Sequence, residues 1–204
     1  MSLPPIKTVR GTAVVIPGDD IDTDRIIPAR FLKCVTFDAL GPQLFYDERY
    51  HEDGSSKGHP LDAPGAENAT ILVSGHNFGS GSSREHAPQS IHKAGFRGLI
   101  AGSFAEIFFG NATTLGMPCV TLASEDLGVL QAMLQRAPET EVEIDVENRE
   151  VRAGGQVFPA MLPDGAQGAL TDGRWDPLAD LLEGVEDASR LAHDLGYLPA
   201  EGPS

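Results

Sequence analysis

The residues most able to do chemistry lie together in Gly75-His76-Asn77-Phe78-Gly79-Ser80-Gly81-Ser82-Ser83-Arg84-Glu85-His86, between an apolar stretch and a helical one. Small residues from Gly79 to Ser82 allow left-handed backbone and let a ligand approach the main chain closely. The start of the following helix leaves N–H groups free and carries positive dipole character, so anions belong there. Ser82 and Glu85 also have capping-box spacing, although Pro88 is awkward deep in a first turn. On spacing alone Ser82 is therefore either a helix cap or a hydroxyl offered to an anionic ligand. The loop lacks the Gly-Lys-Ser/Thr of a Walker motif and the G-x-G-x-x-G of a dinucleotide fingerprint. A second polar cluster is Asp19-Asp20-Ile21-Asp22-Thr23-Asp24. Asp24 is either a site acid or a strand-to-loop cap, and Asp22 and Thr23 read as turn formers. His86 has two readings, a helix-start hydrogen bond or a site residue, of which the structural one is preferred. His51, His59, His76, His92 and His193 form no ligand pattern.

Metal chemistry is not encoded by this chain alone. Its two cysteines, Cys34 and Cys119, are 85 positions apart and sit in no Cys-x-x-Cys or Cys/His spacing. Any metal must come from a partner. The 30 acidic and 15 basic residues give a formal charge of −15, which repels a nucleic-acid backbone and reads as a solubility device. No apolar run approaches the roughly 18 residues of a membrane span. Met1 to Arg10 carries no secretory signal, so the cytoplasm is the expected compartment.

These residues need elements to hold them. Gly11 to Ile16 reads as a buried strand stopped by Pro17-Gly18. A short helix is expected within 29–46 and a long polar surface loop over 47–68. Thr70–Ser74, Arg97–Ala101 and Cys119–Leu122 read as further strands. Helices are expected over Ala87–Ala94, from a capping box at Ser103 and Glu106 to near Gly116, and over Leu127–Gln135. Val142, Ile144 and Val146 alternate with acids, then turn at Glu147-Asn148 and return over Val151–Phe158, a hairpin or meander. Asp176-Pro177 opens a last helix bearing Leu178, Leu181 and Leu182. The order implies an α/β fold with parallel core strands and a small antiparallel hairpin. One domain is expected over 1–204, its core at about 11–160 and a helical extension at 161–204.

Asn77 to Pro88 closely resembles the signature of the aconitase swivel-domain family, in the version found in isopropylmalate isomerase small subunits. Gly18 to Leu32, Gly41-Pro42-Gln43-Leu44-Phe45 and Ser103 to Asn111 agree with it in the same order. The resemblance implies a swivelling β/β/α domain and a dehydration–rehydration enzyme. By that resemblance a large partner subunit carries a 4Fe–4S cluster with one open iron, and this chain binds none. Ser82 is then the base that removes the proton beside the leaving hydroxyl. Arg84 stabilises it and forks onto a substrate carboxylate. Ser83 is a neighbouring substrate contact, and Asp24 supports proton delivery to the leaving hydroxyl. The family's usual cysteines near Ser80 and Ala112 are missing, which removes a thiol and an oxidation liability rather than a cluster ligand.

Leu32-Lys33-Cys34-Val35-Thr36 matches the stretch that helps select the substrate's variable group. Val35 suits an isopropyl group, Lys33 argues the other way, and no arginine lies between 31 and 48 to take an extra carboxylate. The resemblance thus implies isomerisation of 2-isopropylmalate to 3-isopropylmalate in leucine biosynthesis. The alternatives are a small subunit acting on homoaconitate, citramalate or another 2-hydroxy dicarboxylic acid, and a silent anion-binding module.

Overall fold

The computed structural model describes residues 3–33, 36–177, 190, 191 and 195. Its frame is one seven-stranded mixed sheet in the order β4-β3-β2-β1-β5-β6-β7. The strands are β1 (Thr8–Val15), β2 (Ile71–Val73), β3 (Gly98–Ala101), β4 (Cys119–Thr121), β5 (Glu141–Asp145), β6 (Glu150–Ala153) and β7 (Gln156–Pro159). Strands β1 to β4 run parallel, and β5 to β7 form an antiparallel meander. β1 joins the halves. Its residues Ala13–Val15 pair in parallel with Ile71–Val73, while Thr8–Thr12 pair antiparallel with Asp145–Glu141.

The apolar runs of β2, β3 and β4 are explained by helices on both faces of the parallel half. One face buries Val14, Leu72, Leu99 and Cys119 against α3 (His86–Lys93) and α4 (Glu106–Thr113). The other buries Ala13, Ile71, Val73, Ile100 and Val120 beneath α5 (Ser124–Arg136), whose Leu127, Leu130 and Leu134 point inward at helical spacing. Each such fully buried aliphatic side chain contributes about 1.5–3 kcal/mol. The meander alternates instead: Val142 and Ile144 are buried, while Glu141 is exposed.

Several local expectations shift. The stretch 29–46 holds single 3-10 turns at Ala29–Lys33, Phe37–Ala39 and Gly41–Gln43 rather than one helix, with a one-turn α1 (Thr23–Ile26) before them. The polar 47–68 stretch is not all loop, since α2 (Tyr46–Arg49) enters it and two 3-10 turns follow. The capping box at Ser103 does not form. α4 starts at Glu106 after Ala105, because Ser103 Oγ instead accepts the Asn77 N–H at 2.8 Å. α6 (Asp164–Asp172) had no clear sequence signal, since Gly165 and Gly168 dilute it. The expected helix beyond Pro177, with Leu178, Leu181 and Leu182, lies outside the described residues.

Candidate active site

Chemistry-bearing loops collect at the carboxyl ends of β1, β2 and β3, the edge where open α/β sheets bind ligands. They continue the sheet's pairing beyond the strands. Asp22 bridges Ser80 in parallel, and Phe78 bridges Phe104. Gly79 N–H donates to the Ile21 carbonyl at 2.7 Å, and Thr23 N–H to the Ser80 carbonyl at 2.8 Å. Phe78 N–H donates to the Ser103 carbonyl at 3.0 Å. Asp19 Oδ1 accepts the His76 N–H at 2.6 Å, so the acidic turn is a structural partner of the serine loop.

Beneath the loop, Phe78 and Phe108 pack edge to face at 5.2 Å, with Phe104 stacked near Phe108 at 6.3 Å. Gly79 sits over this cluster at φ 80°, and a Cβ there would lie 2.2 Å from Phe108 Cγ. Glycine is required by backbone and by space. Two motifs about 60 residues apart in sequence thus meet through backbone hydrogen bonds and an aromatic floor.

Ser82 is exposed in the wall of a cleft of about 180 Å³ that Thr23, Arg84, Glu106, Ile107 and Phe108 also line, and Ser83 beside it is exposed too. The helix-cap reading of Ser82 fails, because α3 begins at His86 with Glu85 in the cap position and no side-chain capping bond. Pro88 then falls in the first turn, where a missing N–H costs nothing. Among the described residues the Ser82 hydroxyl makes no hydrogen bond, and the N–H groups of Ser82, Ser83 and Arg84 reach no protein acceptor.

Arg84 Nη1 donates to Asp24 Oδ1 in an ion pair that joins the two motifs. Arg84 is 18% exposed and Asp24 57%, so the guanidinium is held while the carboxylate faces water. The cap of α1 is Asp22, which accepts the Arg25 N–H at 2.8 Å, so Asp24 is not the cap. Thr23 is more than a turn former. It is 2% exposed and its Oγ1 donates to the Ser82 carbonyl at 3.1 Å. Sequence reading missed this, although a β-branched hydroxyl between two acids was the available cue. His86 packs edge to face on Phe37 at 5.1 Å, which is structural. Val35 and Cys34 lie outside the described residues.

The site's polar groups among the described residues are hydroxyls, a guanidinium and carboxylates, with no thiolate of the kind that anchors an iron–sulfur cluster. Among the described residues no group of three or more His, Cys, Asp or Glu could hold a metal. Cys119 is buried and its thiol is pushed far above its ordinary pKa by that burial, so it is no thiolate ligand. A larger apolar cleft of about 570 Å³, between β1, residues 60–69 and the end of α5, contains none of the expected site residues.

The family model described as "Aconitase C-terminal domain" matches residues 3–125. The chain belongs to the aconitase C-terminal-domain family. Within it, the 3-isopropylmalate dehydratase small subunit of Thermus thermophilus is 55% identical over 189 residues, covering 93% of this chain and 94% of its own. That of Synechocystis sp. is 46% identical over 193 residues, covering 95% of each chain. The crystal structure of 3-isopropylmalate dehydratase from Methanocaldococcus jannaschii superposes with a TM-score of 0.64 at 26% identity, covering 88% of this chain and 99% of that one. The swivel-domain fold and the isomerase small-subunit resemblance read from the Asn77–Pro88 motif are borne out by these matches.

Proposed function

We propose that this chain is the small subunit of a two-subunit hydro-lyase that converts 2-isopropylmalate to 3-isopropylmalate through isopropylmaleate in leucine biosynthesis. The observation that carries the proposal is the cleft itself: an exposed Ser82 hydroxyl beside an Arg84 held by Asp24. The relatives' names give the substrate class. A 4Fe–4S cluster on the large subunit would supply the Lewis acid for the hydroxyl that leaves.

The chain's own residues supply the base and the grip. Ser82 Oγ takes the proton from the carbon next to the leaving hydroxyl, and returns one when water adds back at the other carbon. A serine oxygen serves only where its anion is stabilised, and the free N–H groups of the loop and the Arg84 charge do that here. Arg84 keeps donors beyond Nη1 for a substrate carboxylate. Asp24 supports proton delivery to the leaving hydroxyl, Ser83 contacts the substrate, and Val35 meets the isopropyl group. We further read 1–204 as one swivel domain. The cytoplasm is the proposed compartment, in keeping with a buried thiol that stays unpaired.

Mixing the chain with its cluster-bearing partner tests the reading. Hydration of isopropylmaleate is expected only in the mixture, and Ser82→Ala should lower kcat by about 10³-fold or more. Full activity in that variant would remove the base assignment. Citraconate and homoaconitate run alongside would separate the related hydratases.

A further inference from the structure

We propose that Thr23 is a positioning residue for the Ser82 base, acting by fixing the peptide plane between Ser82 and Ser83 so that the Ser83 N–H is turned outward as an oxyanion donor. The inference rests on the Ser82 reading above. Its observation is the buried Thr23 hydroxyl, which donates to the Ser82 carbonyl at 3.1 Å across 59 positions of sequence.

In a trans peptide the C=O and the next N–H point in opposite directions within one plane. Pinning the Ser82 carbonyl onto Thr23, which is 2% exposed, therefore directs the Ser83 N–H away from the interior. On that outer side Ser82 and Ser83 are themselves exposed, and the Ser83 N–H reaches no acceptor among the described residues. The Thr23 backbone is itself fixed, by its N–H to the Ser80 carbonyl at 2.8 Å. Gly81 adds a second constraint. Its φ of 95° favours glycine, and a Cβ there would lie 3.3 Å from Thr23 Oγ1, close enough to press on the hydroxyl. Thr23 and Asp24 are consecutive, so one turn secures the carbonyl of Ser82 and the side chain of Arg84 together.

Thr23→Val keeps the shape and removes the hydroxyl. In the assembled enzyme it should lower kcat by about 10²-fold while KM moves less than about threefold, and Thr23→Ser should restore kcat. In the isolated chain the Ser83 amide resonance should move in Thr23→Val and return in Thr23→Ser, while the Gly79 amide, bonded to Ile21, stays protected from exchange. Wild-type kcat in Thr23→Val overturns the proposal, as does a loss that Thr23→Ser does not rescue. Should Thr23→Val fail to fold, Gly81→Ala carries the test by crowding the same hydroxyl, and wild-type kcat there overturns the proposal. Activity retained by Ser82→Ala would instead strike the function on which this rests. An inactive Ser82→Ala beside a normal Thr23→Val strikes this inference alone.

Discussion

Arg84 and Asp24 show how much a single residue pair has to do at this edge. Their ion pair is partly exposed, and such pairs contribute about 0–1 kcal/mol to stability. On the proposed function its value lies in aiming the guanidinium. Asp24→Asn should therefore shift unfolding free energy by less than about 1 kcal/mol in a denaturant titration while clearly lowering kcat. Arg84→Lys keeps the charge and loses the planar fork, so kcat/KM for the diacid should fall by about 10²-fold, measured in the assembled enzyme. In sequence each of the two stood as a site candidate through its motif's resemblance. Their direct contact was not legible, because nothing in either motif says that the two are neighbours across 60 positions.

The elements that carry the site tolerate little change at their joints. Gly79→Ala would need left-handed backbone and would drive a methyl into Phe108, so a loss of about 2–5 kcal/mol is expected on chemical unfolding. The strands were readable because β2 and β3 are short apolar runs and the meander alternates. Helix starts were less so. Ser82 with Glu85 and Ser103 with Glu106 both have capping-box spacing, yet tertiary partners take up each region: Thr23 bonds the Ser82 carbonyl, and Asn77 uses the Ser103 hydroxyl. Local pattern cannot weigh a partner that distant sequence supplies. Two histidines on supporting elements set an acid-side limit. His59 stacks on Phe45 at 5.4 Å, and burial holds its pKa below the ordinary value. Burial, helped by Arg97 and Lys93, does the same for His92 on α3. The unfolded chain then binds protons more tightly, so stability is fully present above about pH 6.5 and is lost as pH falls from there toward the folded pKa values. Melting temperature should drop between pH 7.5 and 5.5, and a His59→Asn/His92→Asn double variant should show a flatter slope.

At the scale of the whole molecule, a formal charge of −15 makes the folded chain repel itself. Added salt screens that repulsion, so the melting temperature of the isolated chain should rise between about 10 and 150 mM sodium chloride. A flat response would mean that salt weakens ion pairs such as Arg152 with Glu143 and Asp145 as much as it relieves the repulsion. Among the described strands only β1 has neighbours of both orientations, and Val15 leads directly into the turn that bears Thr23 and Asp24. The meander therefore serves as a keel for the working edge, bracing β1 along Thr8–Thr12 on the side away from β2. A one-residue slip of β5 along β1 would invert every inward side chain of that seam and tilt the turn above it. Changes far from the cleft that spare the fold but loosen this seam would be felt first as slower turnover.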